Sequence, residues 1–456
     1  MSRLPGVALL LGAALLIAIA SPGARADDAP PTPAPAPTPP PPPPDAPTSA
    51  TDDAEMGKIL EELQAEEQQA PAPAITNQPA GLPDLSKVNL VGGLPGIARL
   101  NPNLAVILEA AGAAFGTARP SKAGAPLPDL PLQTGGHDAT HNGFTLRQVE
   151  LALGASVDPY LRFDASLVFK DGVEVEEAYA TTLALPLSLQ ARAGEFLSHF
   201  GRHNEQHPHA WWFVSQPLVY GQLLGEDNHR GLGAELSWLS PLPWATTLFV
   251  SVQESAGACC SRTFSPEEGT PAEVRSPLDL IATGVVEQFF PITDDLSLLW
   301  GLSAQAGPAQ YLDPEGRGEL WATDVLLRYR PAEASSRWFV ELQAEGMLRT
   351  RHRGGSDLVR DAIVDGGTYA QLIYHPNPEL GAGVRYDLVD GDAADLAGAG
   401  LGHNSQRGGL LVEYAPTHFS RLQAELNAGT RGQNDLLWGA MLNLEVAIGA
   451  HGAHAY

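Results

Sequence analysis

Lysine and cysteine are scarce in this chain of 456 residues, which contains four lysines and two cysteines. Acidic residues outnumber basic ones by 53 to 27, and the formal net charge is -26. A chain so poor in cations is unsuited to contact phosphate backbones, so we expect no nucleic-acid partner, and anions are disfavoured as cargo. Cys259 and Cys260 alone cannot form a disulfide framework, even in an oxidising compartment.

Long apolar runs are absent beyond residue 26, where no stretch approaches the roughly 20 apolar residues of a membrane-spanning helix. The apolar run from Val7 to Ala20 is too short for such a helix and lies between Arg3 and the small-residue motif Ala24-Arg25-Ala26. This pattern is typical of a cleaved signal peptide. We therefore predict a signal peptide at residues 1–26 and an exported mature chain.

The segments that follow are unlike a folded domain. Residues 27–48 are rich in proline and are predicted to form an extended linker. Residues 49–70 are interpreted as a short acidic helix, and residues 71–102 as a second linker. The helix is too short to decide between a lone helix, a partly disordered segment and a short coiled coil. We expect this N-terminal arm to lie in the periplasm.

From residue 103 onward the chain alternates strictly between apolar and polar or small residues. Val149, Leu151 and Leu153, for example, alternate with Glu150 and with small residues. A period of two predicts β-strands, because successive side chains leave opposite faces of a strand. Sixteen such segments are predicted, near residues 104–116, 145–157, 160–170, 173–184, 187–195, 229–240, 244–254, 278–290, 295–307, 318–330, 336–349, 366–375, 379–388, 407–416, 419–429 and 436–448.

The connections between these segments alternate in length. One kind is short and usually contains proline, as at Asp158-Pro159, whereas the other is generally longer and exceeds 30 residues between Glu195 and His229. Outer-membrane barrels have tight periplasmic turns and long external loops, and their closure leaves no unpaired edge in lipid. We therefore predict an all-β fold, a 16-stranded antiparallel transmembrane β-barrel at residues 103–456.

A barrel of sixteen strands has a water-filled lumen, so the residues predicted to face inward define the function. Their acidic members outnumber the basic ones by two to one, which predicts a mild cation preference. A polar lining of any composition also suits a general pore, and a phosphate-selective channel would need a ladder of lysines or arginines. The predicted lining consists of Glu150, Arg162, Asp164, Glu174, Glu176, Arg192, Glu235, Asp324, Arg328, Glu341, Glu345, Arg349, Arg385, Asp387, Glu413, Arg421, Glu425 and Glu445.

Several stretches give the chain a family resemblance. GFTLRQVEL at Gly143 to Leu151 resembles a strand of porins of the phosphate-selective type. FGRHNEQHPHAWWFV at Phe200 to Val214, with the ending GAHGAHAY, is similar to outer-membrane proteins described as zinc-regulated. The resemblance covers about residues 100–456 and implies a barrel with a transport-related role. That family is also labelled TonB-dependent, but such receptors have about 22 strands and a plugged lumen, and residues 27–102 do not resemble a globular plug.

The loop from Glu195 to Arg230 contains four candidate metal ligands and is long enough to fold inward and narrow the pore. Imidazoles at this spacing suit Zn(II) or Cu(II), whereas the alternative is a structural loop that packs against the inner wall. The candidates are His199, His203, His207 and His209, and weaker ones are His137, His141, His451 and His454. For Cys259 and Cys260 we favour a minor structural pair over a vicinal disulfide or a metal contact.

The sequence has no nucleophile elbow, no glycine-rich phosphate loop and no HExxH helix, so we expect neither catalytic residues nor an enzyme. We predict an outer-membrane channel for passive diffusion of small hydrophilic solutes or ions. The alternatives are a substrate-specific or zinc-linked uptake protein that uses residues 199–212, an adhesin or anchor, and an outer-membrane hydrolase.

The expected partners follow from this interpretation. They are outer-membrane lipid and lipopolysaccharide, the barrel-assembly machinery that reads the terminal aromatic Tyr456, and further copies of the chain. No cofactor is expected unless the histidine-rich loop binds zinc.

Overall fold

The computed structural model describes the chain from residue 103 to residue 449, with gaps. The described residues are 103–117, 133–139, 141–170, 172–257, 259–265, 273–310, 312, 314–333, 337–354, 363–390, 404–431 and 435–449. The predicted signal peptide, the two linkers and the acidic helix lie outside the described residues, as do His451, His454 and the terminal Tyr456.

Sixteen antiparallel strands form one closed barrel, which confirms the predicted fold class. Each strand pairs with its neighbours in sequence, and β1 closes the cylinder by pairing with β16. The strands are β1 (Asn103–Thr117), β2 (Gly143–Ser156), β3 (Leu161–Phe169), β4 (Val173–Thr182), β5 (Leu189–Leu197), β6 (Arg230–Leu239), β7 (Ala245–Gln253), β8 (Ile281–Pro291), β9 (Leu296–Pro308), β10 (Arg317–Tyr329), β11 (Phe339–His352), β12 (Ile363–Asn377), β13 (Leu380–Asp390), β14 (Ser405–Thr417), β15 (Ser420–Arg431) and β16 (Asp435–Gly449).

The two faces of the barrel wall differ in chemistry, as the two-residue period requires. In β14 the outward side chains of Leu410 and Val412 are 57% and 60% exposed, whereas Arg407 and Glu413 on the inner face are buried. The same alternation recurs along β13, β15 and β16. Apolar groups therefore cover the outside and charged groups face the interior, the reverse of a water-soluble protein.

The short turns at one end of the barrel share a local hydrogen-bonding device. Asp158, Thr293 and Asn377 each accept, through a side-chain oxygen, hydrogen bonds from the backbone N–H groups two and three residues further on. Such side chains replace backbone partners in tight turns. This explains why consecutive strands reverse direction within a few residues at this end.

Four register shifts interrupt the pairing of the described strands, and two of them, both β-bulges, place adjacent charged or polar residues on the inner face. A register shift between β1 and β2 lets both Arg147 and Gln148 contact Glu109. A shift between β3 and β4 brings both Glu176 and Glu177 to the interior. A bulge adds one residue to one strand and so moves an outward side chain inward, which a strict two-residue period cannot predict.

One long connection carries the only α-helix of the described chain. The segment between β5 and β6, residues 198–229 and hereafter the inner loop, contains α1 (Leu218–Leu223) and a single 3₁₀ turn at Pro208–Ala210. Two further 3₁₀ turns occur at Pro186–Ser188 and Pro277–Asp279. No helix among the described residues has the length and apolarity needed to cross a membrane.

The outer face provides a direct test of its expected contact with lipid. Leu426 lies near the middle of β15 and is 58% exposed. We expect Leu426→Arg to lower the free energy of unfolding in lipid vesicles by about 2–4 kcal/mol, because a guanidinium is costly at the bilayer midplane.

The matched control is Phe419→Arg in the turn before β15, where the same charge lies at the rim of the barrel. This variant should cost about 0–1 kcal/mol. Equal unfolding free energies for the two variants, measured by denaturant titration, would contradict a lipid-facing surface.

Candidate functional site

The inner loop lies inside the barrel, as its length led us to expect. Phe200, Leu218 and Tyr220 are fully buried and form a hydrophobic cluster with Met347 of β11 and Tyr369 of β12. The loop therefore packs across the lumen against the opposite wall. It occupies space that a water-filled cylinder would leave open.

Arginines of the wall hold the inner loop through its backbone. Four guanidinium groups from four different strands donate hydrogen bonds to four nearly consecutive loop carbonyls. Such irregular backbone needs partners when it is buried, and a guanidinium supplies several donors in a rigid fork. The pairs are Arg147 to Val214 O at 2.8 Å, Arg385 to Ser215 O at 2.8 Å, Arg407 to Gln216 O at 2.6 Å and Arg421 to Trp211 O at 3.1 Å.

Carboxylates of the wall hold the loop from the other side. The Glu345 carboxylate accepts hydrogen bonds from the backbone N–H groups of Arg202 and His203, at 2.9 and 3.0 Å, and from the hydroxyls of Tyr220 and Tyr369. Gly201 permits this approach, since its φ is +66° and a Cβ there would lie 2.5 Å from a Glu345 oxygen. Glu345 is thus the main acidic anchor of the loop.

The predicted lining residues fall into two groups in the structure. Thirteen of the eighteen are buried, mostly in ion pairs and hydrogen bonds between the wall and the loop. The other five, Arg162, Asp164, Glu174, Arg192 and Arg328, remain at least partly exposed. The thirteen are Glu150, Glu176, Glu235, Asp324, Glu341, Glu345, Arg349, Arg385, Asp387, Glu413, Arg421, Glu425 and Glu445. Most of the predicted lining therefore lies behind the inner loop rather than open to water.

Partly exposed charges remain along the inner wall of β3, β8 and β10. Arg162 pairs with Asp164 at 2.6 Å, and Arg202 of the inner loop pairs with Glu287 at 2.5 Å. In each of these pairs, both side chains keep some contact with solvent. Arg328 is similarly accessible, although its partner Glu341 is buried. These groups are charges inside the barrel that remain in contact with solvent.

Two of the four histidines predicted to bind metal contact other groups of the barrel interior: His199 contacts carboxylates, and His203 contacts aromatic rings. His199 lies between Glu235, at 2.7 Å, and Glu205, at 3.3 Å. Burial lowers the pKa of His199, but these two carboxylates outweigh it and raise the pKa above its usual value. His203 packs between Trp211 and Tyr220, and burial holds its pKa well below the usual value.

The other two histidines adjoin a group of carboxylates. His207 lies 3.0 Å from both Glu176 and Glu177, one at each ring nitrogen, and His209 lies 2.9 Å from Glu150. Burial lowers the pKa of His207, but Glu176 and Glu150 outweigh it and raise the pKa well above its usual value. In the described part of the chain, His207 is the one histidine of the four that joins a group of three ligand-type residues. The predicted four-histidine set is thus not brought together.

The weaker histidine candidates that the structure describes have separate surroundings. His137 is buried, with its Nε2 atom 3.4 Å from Asp227. His141 is exposed at the start of β2. Neither joins a group of metal-ligand type among the described residues.

The two cysteines form a vicinal disulfide, Cys259–Cys260, which is the alternative that the sequence favoured less than a minor structural pair. The Arg230 guanidinium donates to Cys260 Sγ at 3.3 Å, and the backbone N–H groups of Asp227 and Arg230 donate to the carbonyls of Cys259 and Cys260. The bridge thus belongs to a loop that packs on the end of the inner loop. Adjacency in sequence supplied no sign of this packing.

Several interior charges escaped the sequence prediction. Arg147 and Glu177 lie at the bulges, and Glu109 is the single charge of an otherwise apolar strand. Asp365 and Arg407 lie close to predicted strand ends, where inward and outward positions could not be assigned. Of these residues, only Glu109 could have been recognised as inward-facing from the sequence, because it is the single charge within β1.

Comparisons with known proteins give distant likenesses. No family model matches the chain. An uncharacterized protein of Aquifex aeolicus is 29% identical over 357 residues, covering 72% of this chain and 74% of that protein. The anion-selective porin from Comamonas acidovorans has a TM-score of 0.48 at 11% identity, covering 76% of this chain and 99% of that chain. The outer membrane channel DcaP of Acinetobacter baumannii has a TM-score of 0.48 at 14% identity, covering 76% of this chain and 97% of that chain. The resemblance to phosphate-selective or zinc-regulated proteins stays a prediction.

The anchoring role of Glu345 is testable by Glu345→Gln. An amide has one acceptor oxygen, so some of the five donors that meet at Glu345, among them the Gln343 amide, lose their partner. We expect the inner loop to lose about 1–3 kcal/mol of local stability. Hydrogen exchange at residues 198–229 should then be faster by at least a factor of about five.

Glu319→Gln is the matched control, because Glu319 lies on the adjacent strand and is hydrogen-bonded to Thr350 rather than to the loop. Exchange in the inner loop should be unchanged in this variant. Equal exchange rates for the wild type and Glu345→Gln would show that Glu345 does not anchor the loop.

Proposed function

We propose that the protein is an outer-membrane channel through which small hydrophilic solutes or ions diffuse passively. The observation that carries this proposal is the closed 16-stranded cylinder with apolar side chains outside and charged side chains inside. In lipid every backbone polar group needs an internal partner, and a closed barrel meets that requirement without an open edge. Exposed apolar surface of this extent would promote aggregation in water.

The inner loop gives the channel its proposed size limit. It spans the lumen from Glu176 on β4 to Glu425 on β15, which Ser215 contacts at 2.6 Å. A loop held in this way narrows the path and favours small solutes over large ones. Arg162, Asp164 and Glu287 line the part that stays accessible.

We further propose a weak preference for cations. Carboxylates still outnumber guanidinium groups when the residues added by the bulges are included, and carboxylates that face a pore lower the barrier for cations. Of the acidic groups in the ion pairs described above, Asp164 and Glu287 have the most contact with the accessible space. Buried ion pairs contribute less, because each carboxylate there has a neutralising partner.

Planar bilayers test both proposals. Purified protein should give discrete conductance steps, and its reversal potential in a KCl gradient should have the sign of cation selectivity. The double variant Asp164→Asn, Glu287→Gln should shift the reversal potential toward anion selectivity, because it leaves Arg162 without its acidic partner and Arg202 with Asp324 alone.

Glu319→Gln, on the outer face of β10, removes one carboxylate without touching the lumen and should leave selectivity unchanged. Absence of conductance from folded protein would refute the channel. Anion selectivity of the wild type would refute the cation preference alone.

The size limit has its own test in Glu345→Gln. Loosening the inner loop widens the path on average, so single-channel conductance should rise and larger sugars should permeate faster in liposome-swelling assays. Unchanged conductance, despite faster hydrogen exchange in the loop, would show that the loop does not limit flow.

A further inference from the structure

A group of ligand-type side chains meets where β2, β4 and the inner loop come together. His207 Nδ1 lies 3.0 Å from a Glu176 oxygen and 3.9 Å from a Glu150 oxygen. The three residues come from three separate elements, and their candidate ligand atoms all lie within 4.8 Å of one another. Both carboxylates are buried, so water does not compete freely for them.

The separations suit a small divalent cation. A tetrahedral ion with bonds of about 2.0–2.1 Å holds its ligand atoms about 3.3 Å apart. The observed separations of 3.0 and 3.9 Å bracket that value. The third separation, between the Glu150 and Glu176 oxygens, is within 4.8 Å, so the two carboxylates must rotate to bring three donors onto one ion.

Neighbouring side chains orient the candidate ligands through hydrogen bonds, as metal ligands require. A ligating histidine commonly donates its other ring N–H to a carboxylate, and Glu177 lies 3.0 Å from His207 Nε2 for this purpose. Ser166 donates to Glu150 at 2.8 Å, and His209 lies 2.9 Å from the other Glu150 oxygen. Two of the three candidate ligands, Glu150 and His207, are thus oriented by a neighbouring side chain.

A cavity gives access to this group. It has a volume of about 210 Å³, and Glu150, Glu177 and His207 line it together with Arg162 and Asp164 of β3. An ion can therefore reach Glu150 and His207 from the cavity, and Glu176, which does not line the cavity, lies 3.0 Å from His207 Nδ1. A water molecule or an exchanging anion can complete the coordination. Open coordination positions of this kind distinguish exchangeable sites from closed structural ones.

We propose that Glu150, Glu176 and His207 bind one divalent transition-metal ion inside the barrel. One imidazole with two carboxylates suits Zn(II), Mn(II) or Co(II), whereas Ca²⁺ and Mg²⁺ take oxygen ligands and Cu(I) takes sulfur. His199 and His203 of the same loop take no part. The site is independent of conductance, because it needs the folded loop and not an open pore.

Equilibrium dialysis of the purified full-length protein against Zn²⁺, with metal analysis, tests the site. Wild type should retain one tightly bound ion per chain. Glu177→Gln removes the carboxylate that contacts His207 Nε2 and should weaken binding roughly 10–100-fold. His207→Gln and Glu176→Gln remove ligands and should weaken binding more than that. With Co²⁺ as the probe, the visible absorption bands of a bound ion should disappear in the two ligand variants.

His199→Gln is the matched control. His199 is in the same loop and also lies between two carboxylates, but it is outside the proposed ligand set. Its substitution should leave zinc affinity unchanged. Heat-modifiable migration in gels and near-ultraviolet circular dichroism identify variants that keep the folded barrel.

Two outcomes would overturn the proposal. One is a wild-type protein that binds no ion, and the other is unchanged affinity in a folded His207→Gln or Glu176→Gln variant. If one of these variants does not fold, the other and Glu150→Gln decide the question. Loss of binding in His199→Gln to the same degree would also refute the assignment, because it would point to a general effect of loop disorder.

Discussion

The charged groups of the inner wall need partners inside the barrel, because the inner loop excludes much of the water that would otherwise solvate them. Burial of an unpaired charge is costly, and removal of one partner from a buried pair typically destabilises a protein by about 3–5 kcal/mol. Arg421 illustrates the solution, since it pairs with Glu445 and also donates to the backbone of Trp211. The loop and the wall therefore stabilise each other, and they form one continuous packed structure.

This constraint also explains the scarcity of lysine. A guanidinium can bind a carboxylate and a carbonyl at once through fixed, planar donors, whereas an ammonium is a strongly hydrated point charge. Arg385, for example, pairs with Asp387 and donates to the backbone oxygen and hydroxyl of Ser215. Lys170 is the single lysine among the described residues, and it is exposed. A composition that first argued against anionic cargo thus reflects the packing of a buried charged interface.

The sequence predicted the barrel well because the two-residue period is local: all sixteen strands follow from it, including the pairing partners. It predicted the interior less completely. A bulge shifts Arg147 and Glu177 inward, and strand ends near Asp365 and Arg407 could not be located closely enough to orient those side chains. The Glu345 carboxylate accepts hydrogen bonds from loop residues that are more than 100 positions away in the sequence. Contacts of that range leave no local signal.

The paired charges alter how selectivity must be understood in such a barrel. A simple count of inward carboxylates assumes that each one contributes equally to the electric field in the lumen. Glu109 and Asp387, however, each form an ion pair with a buried arginine. An ion pair is felt at a distance only as a dipole, so its effect on a passing ion falls off faster than that of a single charge. In the proposed channel, selectivity would then depend on the few pairs that solvent reaches, such as Arg162 with Asp164. Because the position of the inner loop determines which pairs those are, it would set both the width of the proposed path and the electric field within it.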